Sequence, residues 1–353
     1  MHTSLAFVIL SAGAWAAVDP DPQALMQNGH FKRARDLAEA AYRAHPQDAR
    51  AAFLLAEARN AFGDYNDALK YAELAVRLDP KNAEYHRELA DVYGNIGLKS
   101  SVFKQFTLAK KCRAELDAAS AMDPKDVENL DAQMTYYLEA PGIVGGDKKK
   151  AQAIAEEITR LNPARGYLAQ AQIAAAEKGD DSKIERLFQK ALEADPHNYL
   201  ALVRFANFYL MDQHKNYVLA EKLASEAIQV NPDRIAAYCT LVQALVKQNR
   251  ISDVSSILAR AEAAIPDNLA PYIVAGRVML NQGADLQTAE AYLRKYLAQP
   301  PEPGWPPHAG AHWSLGLLYE KRGDRAQARG EMDVALRLNP DFEPAKRDLK
   351  RLK

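Results

Sequence analysis

Residues 49–80 read ARAAFLLAEARNAFGDYNDALKYAELAVRLDP, and the spacing within this stretch decides the fold. Leu55 and Ala56 form a large-small pair that lets a second helix approach closely. Gly63 can take the left-handed conformation that ends a helix, and Asp64 beside it suits the start of the next. Ala68, Ala72 and Ala75 then recur at helical spacing and keep one face of that second helix flat. Pro80 closes the stretch, because the residue before a proline is pushed out of the helical region. The stretch therefore predicts a tight helix–turn–helix hairpin.

The same closing phrase recurs along the chain: RAHP, RLDP, AMDP, RLNP, EADP, QVNP, AAIP and RLNP again. The prolines are Pro46, Pro80, Pro124, Pro163, Pro196, Pro232, Pro266 and Pro340, with Pro301 between the last two. Successive spacings are 34, 44, 39, 33, 36, 34, 35 and 39. A floor near 34 with occasional insertions is the signature of a helical solenoid. The last period repeats the landmarks of the first, with Leu315-Gly316, Tyr319, Gly323-Asp324, Ala328, Met332, Ala335 and Pro340. On these residues the chain resembles the tetratricopeptide repeat family from about Asp21 onward. The match is strongest at the turn and second helix, and weaker in the first helix, where His86 and Leu130 replace the usual aromatic. The resemblance implies an all-α, right-handed superhelical solenoid of antiparallel helix pairs. Residues 17–46 read as a short N-terminal helix pair, 47–340 as eight repeat units, and 341–353 as a charged capping helix of the kind a solenoid needs at its ends.

Composition agrees. With 48% hydrophobic and 26% charged residues the 353-residue chain can bury a large core. Lys and Arg total 45 against 46 Asp and Glu, for a net charge of −1. Nucleic-acid binding, which draws most of its affinity from a basic excess, is not expected. Residues 5–10 form a short apolar run followed by Ala14-Trp15-Ala16, a small-x-small cleavage pattern, so residues 1–16 read as an export signal even though no Lys or Arg precedes the run. The expected location is periplasmic or secreted, with the cytoplasm as the alternative. No cysteine follows the run and no later segment is long and apolar enough to span a bilayer, so neither a lipid anchor nor an integral span is expected. Cys112 and Cys239 read as small core residues.

Three insertions interrupt the period, near 96–107, 141–145 and 302–308. The first has the apolar spacing of a lengthened second helix (Val102, Phe103, Phe106, Leu108, Ala109). The second, Pro141-Gly142-Ile143-Val144-Gly145, enlarges a turn, with Ile143 and Val144 expected at its tip and Asp147 capping the next helix. Its glycines lack the spacing and the following Lys-Ser/Thr of a phosphate loop. The third surrounds Trp305 and is proline-rich.

Catalytic chemistry is absent from the pattern. No nucleophile elbow or HExxH occurs, and His308 and His312, four apart, lack further ligands nearby. Neither enzyme activity nor a cofactor nor a metal is expected. The family resemblance places the first helix of each pair on the concave face. Its inward slots would present Arg50, Phe53, Glu57 and Asn60, then Glu84, Arg87, Asp91 and Asn95, then Glu128, Asp131, Thr135 and Leu138, an acidic half with Glu57, Glu84, Asp91 and Asp131. Later slots present Val203, Asn207 and Leu210, then Gln243, Ile273, Arg277, Trp313 and Leu317, a more apolar half. The expected function is a non-enzymatic scaffold holding a protein or peptide segment in the groove. A structural subunit of an envelope complex, assembling through its ends and edges, is the alternative.

Overall fold

A computed structural model describes residues 20–300, 303–304 and 306–352. The export-signal reading at residues 1–16, and Pro301 and Trp305 of the third insertion, lie outside the described residues. Every described element is helical. A short pair, α1 (Pro22–Asn28) and α2 (Phe31–Ala44), precedes eight longer ones. These are α3 (Ala49–Ala61) with α4 (Tyr65–Leu78), α5 (Ala83–Leu98) with α6 (Val102–Met122), α7 (Val127–Glu139) with α8 (Lys148–Leu161), and α9 (Pro163–Ala176) with α10 (Asp181–Ala194). There follow α11 (Tyr199–Leu210) with α12 (Tyr217–Val230), α13 (Ile235–Lys247) with α14 (Ile251–Ala264), α15 (Ala270–Gln282) with α16 (Leu286–Leu297), and α17 (His308–Lys321) with α18 (Arg325–Leu338). A last helix, α19 (Glu343–Arg351), covers the end. Each first helix also touches the first helix of the next pair, from α3 on α5 through α15 on α17. The chain is thus an α-solenoid.

Local chemistry explains the pairs. Residues before the repeat prolines leave the helical region: Asp79 has φ −138° and ψ 86°, Asp123 −133° and 89°, Asn231 −146° and 97°. Two residues beyond several of these prolines an Asp or Asn starts the next helix. Asp48, Asn82, Asp126 and Asn198 each accept a bond from a backbone N–H in the first turn. Gly63 and Gly323 take φ +81° at the hairpin turns, and Asp324 caps α18 through Gln327 N at 3.0 Å. Asp64 differs from the sequence expectation: its carboxylate makes no cap and instead accepts from Arg59 at 3.2 Å. Ala68, Ala72 and Ala75 are buried, as are Ala328, Met332 and Ala335. At Gly316 an added Cβ would lie 2.9 Å from Met332 Cγ, so the close approach of α17 and α18 requires the glycine.

The second unit lengthens both helices, with α6 at 21 residues against 14 for α4 and α8. The 141–145 insertion folds as a 3-10 turn, Gly142–Val144, closed by Gly145 at φ +100°. Only Ile143 points outward. Val144, expected beside it at the tip, is buried, because the turn lies against α6. There the Tyr136 hydroxyl is 2.7 Å from Val144 O and 3.0 Å from Ala109 O.

One long-range contact has no counterpart in the repeat pattern. The turn between α1 and α2 docks onto the turns that open α13 and α15, more than 200 residues away. His30 is 2% exposed; its Nδ1 lies 2.7 Å from Asp267 Oδ1 and its Nε2 3.0 Å from Asp233 Oδ1. Asn268 donates to Gly29 O at 2.7 Å, Arg234 to Gln27 O at 3.2 Å and Lys32 to Gln299 at 3.1 Å. The superhelix therefore returns on itself and the N-terminal pair closes it.

Candidate functional site

The trough on the concave side begins where α1 leans over α3 and α5. Gln23 and Gln27 of α1, Glu57 of α3, Glu84 and Arg87 of α5, and Asp126 and Glu128 at the start of α7 surround a space of about 930 Å³. Asp79, Asp123 and Met122, from the turns, complete its rim. Six of the residues on this wall are Asp or Glu, against Lys81 and Arg87.

Its hydrogen bonds run from unit to unit. Arg50 donates to Glu84 at 3.0 Å and to Gln23 at 2.7 Å, and Gln23 donates to the other oxygen of Glu84 at 2.6 Å. Arg87 donates to Asn129 at 2.9 Å. Deeper in the wall Asn60 donates to Glu88 at 3.0 Å, and Asn95 donates to Asn60 at 2.9 Å. Glu57 has a buried Oε2 with no hydrogen-bond partner among the described residues.

Three carboxylates here are held away from their ordinary ionisation. Burial, reinforced by the negative charge of Glu84, pushes Glu57 up to about 7. Burial also raises Glu88 well above the usual carboxylate range, with Asp91 and Glu57 adding to the effect. Asp91, one turn along α5 from Arg87, lies outside the lining of this space; its side chain reaches solvent, and desolvation by the surrounding protein moves it to about 6, against the pull of Arg87. Arg50 and Arg87 offset part of this charge, and carboxyl groups raised in this way are poised to take up a positive charge, whether a proton or a ligand's. At the next unit the balance changes. Arg165 pairs with Glu128 at 2.5 Å and with Asp131 at 3.5 Å, so this part of the wall is already neutralised.

Of the four acids expected in this half, Glu57 and Glu84 come together on the trough, Asp91 lies outside its lining and Asp131 is engaged by Arg165. Glu88 was not anticipated. It falls between the inward slots Arg87 and Asp91, and it is held by Asn60 of the preceding unit, a contact no single repeat signals.

The apolar half differs from expectation. Val203, Leu210 and Ile273 are buried core residues, because successive first helices pack closely enough to cover these slots. Trp313 is also engaged: its Nε1 donates to Asp348 at 2.9 Å and its ring meets Phe342 edge-on at 5.9 Å, so α19 and the chain before it cover this side chain. Leu317 is half-buried against the same core. What opens to solvent is polar. Asn207 and Arg277 are exposed and Gln243 is partly so. Gln243 and Arg277, with Ile273 below, border a shallow pocket of about 190 Å³.

The histidines and cysteines serve packing. His308 bonds Gln299 O at 2.8 Å and His312 bonds Glu331 at 2.7 Å. Both cysteines are buried and unpaired, and burial pushes the Cys112 thiol up to about 12.

No curated protein matches the sequence significantly. The crystal structure of yeast Tom70 is similar, with a TM-score of 0.52 at 15% identity over 94% of this chain and 80% of that one. TTC0263, a TPR protein of Thermus thermophilus, gives 0.47 at 21% identity over 54% of this chain and 96% of its own. A tetratricopeptide repeat protein of Parabacteroides merdae gives 0.47 at 15% identity over 74% and 98%. Tetratricopeptide repeat models match residues 23–93 and 274–341, and a second such model matches 213–275, together more than half the sequence. Periodic prolines, paired helices and these matches agree: the chain belongs to the tetratricopeptide repeat family, whose repeats form protein-interaction scaffolds.

Proposed function

We propose that the protein is a non-enzymatic scaffold whose acidic trough, between α1, α3, α5 and α7, holds a protein segment carrying Lys or Arg side chains. The observation that supports this reading most is the acidic lining of the trough, Glu57, Asp79, Glu84, Asp123, Asp126 and Glu128, with Glu57 held above its ordinary range by burial and by the charge of Glu84. A trough ringed by acids and bordered by two glutamine side chains suits an extended cationic segment better than an apolar helix. The buried state of Val203, Ile273 and Leu210 argues against an apolar anchor in the later units.

Partner capture by the wild type and by a Glu57→Gln/Asp91→Asn double variant tests the proposal. Capture should fall at least tenfold in the double variant while its helical content is unchanged. Undiminished capture would move the partner to the ends or edges of the solenoid, as the assembly-subunit reading requires. Export, suggested by residues 5–10 and the Ala14-Trp15-Ala16 pattern, belongs to the same proposal, and an N-terminus near Ala17 on the natural protein is the expected result of mass spectrometry.

A further inference from the structure

The crest of the second unit combines two features that the trough does not explain. Leu98 ends α5, and Val102 and Phe103 begin α6. All three stand in solvent, 82%, 77% and 90% exposed. Ile143, on the neighbouring 3-10 turn, is 80% exposed. That turn lies against α6 at Ala109, six residues and about 9 Å along the helix from Phe103. The seven extra residues of α6 lie at its N-terminal end, since its C-terminal end keeps the usual distance to the closing proline. With the three extra residues of α5 they lift the crest about 5–10 Å beyond the neighbouring hairpin turns.

The stretch of chain that builds the crest carries charges of one sign. Between Asp91 and Glu115 the sequence has five cations, Lys99, Lys104, Lys110, Lys111 and Arg113, and no acid. Lys99, Lys104, Lys110 and Lys111 are exposed and pair with no carboxylate among the described residues, although the chain as a whole is balanced at −1. Three of these ammonium groups lie over aromatic faces instead, Lys99 over Tyr65, Lys110 over Phe106 and Lys111 over Tyr93, at 4.4 to 5.0 Å.

We propose that this crest docks onto an anionic lipid surface, with Phe103, Val102 and Leu98 entering the headgroup layer and the lysines meeting lipid phosphates. The shape favours a bilayer over a folded partner. The apolar side chains project from a hairpin crest, and neither the trough nor the pocket beside Gln243 is lined by Leu98, Val102 or Phe103. The lift of about 5–10 Å matches the depth to which interfacial apolar groups enter a membrane surface. Unpaired lysines beside and below such groups complement anionic lipid directly. No described helix is long and apolar enough to cross a membrane, so the contact is peripheral. The inference is independent of the trough and its ligand.

Co-sedimentation of the full chain with vesicles of phosphatidylcholine, alone or with about 30% phosphatidylglycerol, tests it. The wild type should partition onto the anionic vesicles, less so at high salt, and only weakly onto pure phosphatidylcholine. Val102→Ser/Phe103→Ser should lower partitioning at least about tenfold, and Lys104→Glu/Lys110→Glu should lower it and flatten the salt dependence. Both variants should keep the wild-type melting temperature, because every altered side chain is exposed. All proteins compared share residues 1–19, so partitioning through that apolar run cancels. Absence of wild-type binding to anionic vesicles would overturn the proposal, as would binding that both variants retain. Sedimentation velocity on the same proteins supplies the remaining outcome: a wild-type dimer that Val102→Ser/Phe103→Ser splits, without vesicle binding, would assign the crest to contact between copies and overturn the lipid reading.

Discussion

Glu57 shows how a repeat protein sets aside stability for a site. A carboxyl whose folded-state value is raised to about 7 stays protonated in the folded chain after it has ionised in the unfolded one. Its contribution to stability therefore declines as pH rises from about 4.5 to 7 and stays low above that. Glu57→Gln should remove the effect, raising stability at pH 8 by roughly 1–3 kcal/mol and much less at pH 4.5. Thermal melts of both proteins at the two pH values measure this. Binding should show the complementary dependence. A cationic segment should bind more tightly at pH 7.5 than at pH 5.5, where Asp91, near 6, and Glu57 are largely protonated. At this scale the sequence was partly legible. Glu57 and Glu84 reach the trough from inward slots that each helix sets by its own periodicity. Val203, Ile273 and Trp313 misled because their exposure depends on how tightly the next helix closes over them, which no single repeat encodes.

The hairpins follow from local rules, so their limits were readable. The prolines force extended residues, the Asp and Asn caps begin the next helix, and small residues set the distance between partners. Ala68 is fully buried between α3 and α4, and Ala68→Arg should cost at least a few kcal/mol by overpacking that contact. A variant with wild-type melting behaviour would refute the register. The 141–145 turn was readable as an insertion but not as a packed one. Its burial depends on Tyr136 and on the length of α6, which belong to two different units. Ile143→Ser should leave the melting temperature within a degree or so, as befits an exposed side chain. Deletion of residues 143–146 should lower it measurably, because the buried Val144 and a carbonyl partner of Tyr136 are lost. Equal melting of the deletion and wild type in differential scanning calorimetry would contradict the packed arrangement.

Across the whole molecule, the superhelix brings α1 and α2 back onto the turns before α13 and α15. Small rotations accumulated over several units produce that return, which is why no stretch of the sequence signals it. Its centre is His30 between Asp233 and Asp267. Both ring nitrogens face carboxylate oxygens, so the charged imidazolium, which donates from both, is the form that fits. Its pKa is raised chiefly by the bond to Asp267 and also by Asp233, against the cost of burial, and Asp267 is lowered in turn. Arg33 also acts on Asp267 from the α2 side. The contribution of a raised histidine is complete below its unfolded value near 6.5 and is lost as pH rises through the folded one. Hydrogen exchange of the α1 and α2 amides, corrected for intrinsic rates, should therefore quicken at alkaline pH. In His30→Ala it should be fast at every pH. Slow, pH-independent exchange in that variant would mean that the closure does not depend on the histidine.

The central claim is that the acidic trough holds the partner. Met122 on the trough rim offers a direct test through a photo-cross-linking residue placed there, with Leu338 on the outer helix α18 as the comparison. Mass spectrometry of the adducts formed in the native host extract should find one recurrent protein segment rich in Lys or Arg attached at position 122. That adduct should be lost in the Glu57→Gln/Asp91→Asn background and absent at position 338. Adducts that form equally at both positions, or that persist when the two carboxylates are neutralised, would contradict the account.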